Sequence, residues 1–92
     1  MDVKEAVALA KTYLKTVFSD ERILDLGLEE VEFEETRNIW SVTLGFSRPW
    51  DVENPVERLQ AYIQPRHRSY KIVRISDLDK KVVSVKNREP VE

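Results

Sequence analysis

The stretch of sequence that decides the fold alternates between large and small side chains, and it reads Ile39-Trp40-Ser41-Val42-Thr43-Leu44-Gly45-Phe46-Ser47. In an extended strand, successive side chains point to opposite faces of the sheet. The apolar side chains at every second position from Trp40 to Phe46 therefore share one face, and the small residues share the other. This alternation predicts a strand over residues 39–47 that buries its apolar face against another layer.

The start of the sequence supplies that layer. From about Asp2 to Phe18, apolar residues recur at spacings of three and four, which is typical of an amphipathic helix. Asp2 is predicted as the N-cap residue, and Glu5 three positions later completes a capping pair. The predicted helical part of the core consists of Val3, Val7, Ala10, Leu14 and Val17.

Period-two patterns predict three more strands, at Leu28–Glu35, Arg68–Ser76 and Lys81–Asn87. Leu28 has the opposite parity to Val31, so either the first strand starts after Leu28 or a bulge near Glu29 resets the register. Short turns at 36–38 and 77–80 join consecutive strands. The sequence thus predicts one α+β domain over residues 1–92, in which an N-terminal helix packs on a four-stranded antiparallel meander sheet. The predicted strand residues of the core are Val31, Phe33, Trp40, Val42, Leu44, Phe46, Val83 and Val85.

An insertion at residues 48–67 separates the second and third strands. Asn54-Pro55-Val56-Glu57 is a typical helix start, and it predicts a short helix over Asn54–Gln64. Its apolar stripe consists of Val56, Leu59 and Ile63. Because so short a helix is unstable alone in water, the stripe is expected to dock on its own sheet, on a second copy of the chain or on another partner.

Two further places in the sequence suggest exposed apolar contacts. Trp50 follows a proline in a polar loop, where an exposed anchor or packing across the sheet edge is expected. The third strand is apolar on both sides, so one of two pairs, Tyr70 with Ile72 or Val73 with Ile75, faces away from the helix. The candidate partner-binding residues are therefore Trp50, Val56, Leu59, Ile63, Tyr70 and Ile72.

Two known families share features with these stretches. Residues 2–11, together with 70–77 and 81–85, resemble the opening helix and the closing hairpin of PepSY-type domains, which are usually exported and thought to restrain peptidases. Pro49-Trp50 is similar to the Pro-Trp hairpin of cystatin inhibitors. The loop 36–38, however, lacks the inhibitory Gln-x-Val-x-Gly pattern. The resemblances therefore imply a helix on an antiparallel sheet, and they imply no inhibitory activity.

Composition excludes several classes of function. The chain contains no cysteine, so disulfides, thiolate catalysis and zinc–thiolate sites are excluded. No apolar run approaches the roughly 18 residues of a membrane span, and no signal-peptide pattern opens the sequence. A cytoplasmic protein is therefore expected. Residues 1–57 contain 13 acidic and 6 basic residues, and residues 58–92 contain 4 acidic and 9 basic ones. Either neighbouring strands neutralise each other, or this polarity steers partners.

The residues with catalytic or metal-binding chemistry are few. His67 is the only histidine, and its neighbours Arg66 and Arg68 supply no carboxylate to orient it. Asp77 and Asp79 lie in a predicted tight turn, where aspartates commonly form the turn itself. No glycine-rich phosphate loop is present. We therefore expect no enzymatic activity, no metal and no cofactor.

The leading hypothesis is a small cytoplasmic binding or regulatory module that acts through protein contacts and forms a homo-oligomer or binds another protein. A small-ligand carrier that uses the concave face of the sheet is the alternative. A third hypothesis, a single-stranded nucleic-acid binder, relies on the basic stretch from Arg66 to Arg74 with Tyr70 inside it. The acidic run from Glu29 to Glu35 is either a solvated strand face or a docking strip for a basic partner.

Overall fold

The structure, a computed structural model, describes residues 1–48 and 69–88. Its elements are α1 (Val3–Val17), β1 (Leu24–Glu34), β2 (Ile39–Ser47), β3 (Ser69–Ser76) and β4 (Lys81–Asn87). The strands lie in the order β1-β2-β3-β4, and each neighbouring pair is antiparallel. The predicted α+β fold, an N-terminal helix on a four-stranded antiparallel meander, is confirmed. The predicted helix Asn54–Gln64 lies outside the described residues.

The sequence starts α1 as predicted. The side chain of Asp2 accepts a hydrogen bond of 2.8 Å from the backbone N–H of Glu5, and this bond satisfies one of the free donors in the first turn. The middle of α1 contacts the sheet through Ala6, Ala10 and Leu14, which are fully buried. Because two of these side chains are alanine, the helix lies close to the strands.

The prediction that Val3 and Val17 belong to the core was wrong. They lie at the two ends of α1, and their side chains are 49% and 47% exposed. Their spacing puts them on the same side of the helix as Ala10. The exposure therefore reflects position along the axis: the sheet covers the middle of the helix and leaves its ends open.

The core lies between α1 and one face of the sheet, here called the inner face. Its buried residues are Ala6, Ala10, Leu14, Trp40, Val42, Leu44, Phe46, Val73 and Ile75. The predicted orientation of β2 is confirmed, because every second residue from Trp40 to Phe46 is buried in this cluster. Trp40 also packs on Phe33, with the two ring centroids 4.7 Å apart. In β3, Val73 and Ile75 join the core.

Strand β1 is longer and less regular than predicted. It begins at Leu24 instead of Leu28, and its pairing with β2 shifts register between Leu24 and Gly27 and again between Leu28 and Glu30. Asp25 has a φ of 53°, in the left-handed region. The second shift is the bulge that the sequence allowed near Glu29, and it lets both Leu28 and Val31 lie opposite inner-face residues of β2.

Strand β4 also contains an irregularity, which overturns one predicted core residue. The pairing with β3 shifts between Arg74 and Ile75, so that Val82 lies opposite Ile75 and packs against the core. Val83, predicted to be buried, is 61% exposed. If side chains alternated strictly from Val85, Val83 would face the core. Because the bulge adds one residue at this point, Val82 faces the core in its place.

One polar contact joins β2 to the turn between β3 and β4. The indole Nε1 of Trp40 donates a hydrogen bond of 2.9 Å to Oδ1 of Asp77. The backbone N–H of Asp77 in turn donates a 2.9 Å bond to the carbonyl of Asn38. The bond from Trp40 is the main reason that the pKa of Asp77 lies below its ordinary value. Asp77 therefore fixes the end of the sheet where both turns meet.

Candidate functional site

The sheet presents a second face, opposite α1, which we call the outer face. Its positions follow from the strand register, because residues that alternate with the buried ones point the other way. They include Gly27, Glu30, Glu32 and Glu34 of β1, Ile39, Ser41, Thr43, Gly45 and Ser47 of β2, Tyr70, Ile72, Arg74 and Ser76 of β3, and Lys81, Ser84 and Lys86 of β4. Arg88 follows β4, and its guanidinium lies 5.8 Å from the ring centroid of Tyr70.

Three rows of residues cross the outer face. Each row takes one residue from each strand, in the order β1 to β4. The first row is Glu32, Ser41, Arg74 and Ser84, the second is Glu30, Thr43, Ile72 and Lys86, and the third, at the end of the sheet, is Glu34, Ile39, Ser76 and Lys81. A shorter row contains Gly27, Gly45 and Tyr70. The register therefore places the acidic residues over β1 and the basic residues over β3 and β4, with small β2 residues between them in the middle of the face.

The centre of this face is a shallow groove of about 140 Å³ that is open to solvent. Its floor is formed by small β2 residues, and Thr43 within it is only 5% exposed. Carboxylates stand on one side and guanidinium groups on the other. The lining residues are Glu30, Glu32, Ser41, Thr43, Ile72, Arg74 and Arg88.

The charges of the groove lie apart from one another. Within residues 1–48 and 69–88, no basic nitrogen lies within 4.0 Å of the carboxylates of Glu30 or Glu32. Glu34, at the end of β1, differs because Arg37 binds it through two hydrogen bonds of 3.0 and 2.8 Å. These bonds lower the pKa of Glu34 and raise that of Arg37. The uncharged strand β2 separates Glu30 and Glu32 from the basic residues of β3, although the charge of Arg74 contributes to lowering the pKa of Glu34.

A second cluster of charges lies on the inner side, near the end of α1. The guanidinium of Arg48 lies 5.3 Å from the ring centroid of Phe18, and the amino group of Lys71 lies 5.8 Å from the same centroid. Burial and the charge of Arg48 lower the pKa of Lys71. Glu21 approaches Arg48 to 3.7 Å, and Asn87 accepts a hydrogen bond from Lys71. Cations, rings and a carboxylate thus compensate one another here, as in a structural cluster.

A third feature is an open groove of about 400 Å³ between α1 and the edge strand β4. It is lined by Leu9, Thr12, Tyr13, Thr16, Lys80, Lys81 and Val82. Its walls combine apolar side chains with two lysines. Nothing in its geometry brings together groups for acid–base or nucleophilic chemistry.

The structure separates the predicted site residues into two groups. Tyr70 and Ile72 lie side by side along the outer face, because Val73 and Ile75 occupy the core. The other four, Trp50, Val56, Leu59 and Ile63, lie outside the described residues. The sequence did not single out Lys86 or Arg88 as parts of a site. It did indicate this face through the small residues of β2, the apolar residues on both sides of β3 and the acidic run from Glu29 to Glu35.

The chemistry of the remaining candidates follows from their positions. His67 lies outside the described residues. Asp77 is engaged by Trp40, and Ser76 Oγ donates a 3.4 Å bond to Asp79. In the part of the chain that the structure describes, no three acidic, histidine or cysteine side chains converge as metal ligands, and no helix is long and apolar enough to cross a membrane. No family model, curated protein or solved structure matches this chain.

Proposed function

We propose that this chain is a cytoplasmic protein-binding module without enzymatic activity, and that the outer face is its binding surface. The observation that supports this most directly is the polarised groove, in which Glu30 and Glu32 stand opposite Arg74 across a floor of small residues. Glu30 and Glu32, which have no basic nitrogen within 4.0 Å among residues 1–48 and 69–88, are available to the basic groups of a partner.

The size pattern of the face supports the same proposal. In the middle of the face β2 presents Ser41, Thr43 and Gly45, whereas β3 presents Tyr70, Ile72 and Arg74. The result is a low strip beside a high one. A partner with the opposite relief would pack closely on this surface. The tyrosine and the arginine of β3 support the same proposal, since both residue types are enriched where proteins bind each other.

A nucleic-acid partner fits this face less well. Arg74, Lys86 and Arg88 would attract phosphate groups, and the ring of Tyr70 would offer a stacking surface. Glu30 and Glu32, however, line the same groove and would repel a phosphate backbone. A small-ligand carrier is also less favoured, because a groove of about 140 Å³ that is open to solvent buries little of any ligand.

The experiment is site-specific photo-crosslinking in cells of the organism that produces this protein. A photoreactive amino acid is introduced at Ser41 or Ser84 on the outer face. As the matched control, the same amino acid is introduced at Ala8 or Lys15 on the exposed side of α1. The proposal expects adducts of discrete mass from the outer-face positions only. The purified partner must then bind the purified chain, and Ile72→Asp must weaken this binding at least tenfold.

Three results would overturn the proposal. The first is the absence of adducts from both outer-face positions. The second is the same set of adducts from the outer face and from the helix controls, because that pattern indicates random collisions. An Ile72→Asp variant that binds the purified partner as tightly as the wild type would likewise move the binding surface elsewhere.

A further inference from the structure

The pattern of the outer face is complementary to itself. We propose that its partner is a second copy of this chain, packed face to face about a two-fold axis that runs nearly parallel to the strands. This inference rests on the proposed function and names the partner. Two independent properties of the face, its charge and its relief, lead to the same axis.

The charge argument starts from the strand order. A two-fold axis along the strands, halfway between β2 and β3, places β1 of one copy over β4 of the other and β2 over β3. Because such a rotation leaves the position along the strand unchanged, each row faces the same row of the partner copy. Glu30 of each copy then faces Lys86 of the other, and Glu32 lies beside Arg74 of the other.

The relief argument concerns the two central strands. Under the same rotation, Gly45 faces Tyr70 of the second copy, and Thr43 faces Ile72. Each large side chain of β3 thus meets a small one of β2. Two sheets that pack face to face lie about 10 Å apart, and small residues opposite large ones are what let such layers interdigitate.

The other two-fold axis that stacks these faces runs across the strands, and the same properties oppose it. It would place β1 over β1, so that Glu30 and Glu32 of one copy would meet the same residues of the other. It would also place β3 over β3, where Tyr70 and Ile72 would collide with their counterparts while a gap opened over β2. Both charge and shape therefore select the axis along the strands.

The expected affinity follows from the size of the face. Four strands about 4.8 Å apart, each with about seven residues of about 3.3 Å, present roughly 440 Å² of sheet per copy. Two such surfaces bury on the order of 1,000 Å², near the lower limit of specific interfaces. We therefore expect a dimer that dissociates in the micromolar range and weakens as salt screens the charged pairs.

Sedimentation velocity of the purified chain from about 1 to 500 µM tests the inference first. The expected result is a monomer–dimer equilibrium that shifts toward monomer as salt is raised from about 50 to 500 mM. A chain that stays monomeric throughout overturns the inference. If the same chain still gives specific adducts to another protein in cells, the proposed function survives; if it gives none, both fail.

Charge reversal then tests the surface. Glu30→Lys with Glu32→Lys makes both sides of the groove basic, and Arg74→Glu with Lys86→Glu makes both acidic. Each double variant is expected to weaken the homodimer at least tenfold, and their mixture is expected to form a heterodimer. Asp20→Lys with Glu35→Lys carries the same charge change at exposed positions off the outer face and should dimerise like the wild type. A dimer that neither face variant weakens lies on another surface and contradicts the inference.

Single cysteine substitutions test the axis and change only one charge each. Because the chain contains no cysteine, each variant has one reactive thiol. Glu30→Cys and Lys86→Cys, mixed and treated with a short thiol crosslinker, are expected to form covalent dimers. Each variant alone should form far fewer. Efficient crosslinking of Glu30→Cys with itself would instead place β1 over β1 and overturn the axis proposed here.

Discussion

The indole Nε1 of Trp40 donates a 2.9 Å hydrogen bond to Oδ1 of Asp77, 37 residues further along the chain. Trp40 is 8% exposed, so its N–H lies at the edge of the core and finds its acceptor in the turn between β3 and β4. The bond joins the start of β2 to the turn between β3 and β4, at one end of the sheet. It also gives one side chain two tasks, filling the core and positioning a loop.

The first prediction concerns the size of this side chain. Trp40→Ala is expected to lower the free energy of unfolding by about 3–5 kcal/mol, because it leaves a cavity beside Phe33 and removes the bond to Asp77. Trp40→Phe, which keeps a ring but lacks the N–H, should cost less. Urea unfolding followed by circular dichroism measures both. A loss below about 1 kcal/mol for Trp40→Ala would contradict the burial of this residue.

The second prediction concerns pH. The pKa of Asp77 is lowered in the folded chain, chiefly by the bond from Trp40, so its carboxylate stabilises the fold at pH values above its ordinary pKa. That contribution disappears as pH falls through the lowered value. We expect the melting temperature of the wild type to fall more steeply than that of Asp77→Asn between about pH 5 and pH 2.

The control for this experiment is Asp79→Asn, which removes a charge from the same turn without touching the indole bond. Its melting temperature should follow the wild-type profile over the acidic range. If Asp77→Asn also follows that profile, the ionised carboxylate of Asp77 does not contribute to stability in solution.

The third prediction tests the bulge in β4. Val82→Ala is expected to cost roughly 1–2 kcal/mol, because Val82 packs on the core opposite Ile75. Val83→Ala should change stability by no more than about 0.5 kcal/mol, because Val83 is mostly exposed. The two neighbours are matched in size and differ only in position. Equal costs, or the reverse order in urea unfolding, would show that β4 is regular.

The fourth prediction concerns the insertion and rests on the sequence alone. Leu59→Asp with Ile63→Asp is expected to lower the melting temperature or the molecular mass in solution, because both residues belong to the apolar stripe that must dock on something. Gln60→Asp, off the stripe, is the control. Unchanged stability and mass in the double variant would mean that the stripe has no docking role.

The sequence predicted most of the fold because its patterns are regular where the structure is regular. Alternation from Trp40 to Phe46 identified β2 and its buried face, and the capping pair Asp2 and Glu5 marked the start of α1. One error, the burial of Val3 and Val17, falls at the ends of α1, and the others fall where a strand is irregular. Val83 was placed in the core because alternation cannot reveal a bulge, and the first residues of β1 were missed because Asp25 adopts a left-handed conformation.

The candidate site was less accessible to sequence reasoning because it depends on register. Tyr70 and Ile72 were identified, although the sequence left open which face of β3 they share. That Glu30 and Lys86 belong to one row across four strands follows only from three strand pairings, and the pairings at the two edges of the sheet contain register shifts. The net charges of the two halves indicated that acidic and basic residues are separated along the chain. The strand order places these two groups of residues at opposite edges of the sheet.

The bulges have a consequence for how copies of this molecule avoid polymerising. β1 is an acidic edge strand and β4, with Lys81 and Lys86, is a basic one, so the edge of one copy attracts the opposite edge of the next. Such head-to-tail pairing does not close and would build filaments of continuous sheet. The register shifts in β1 and the shift in the β3–β4 pairing distort these edges and leave backbone groups out of line for a further strand. The irregular edges therefore oppose pairing of strands between copies and leave the outer face as the surface on which we propose that copies meet.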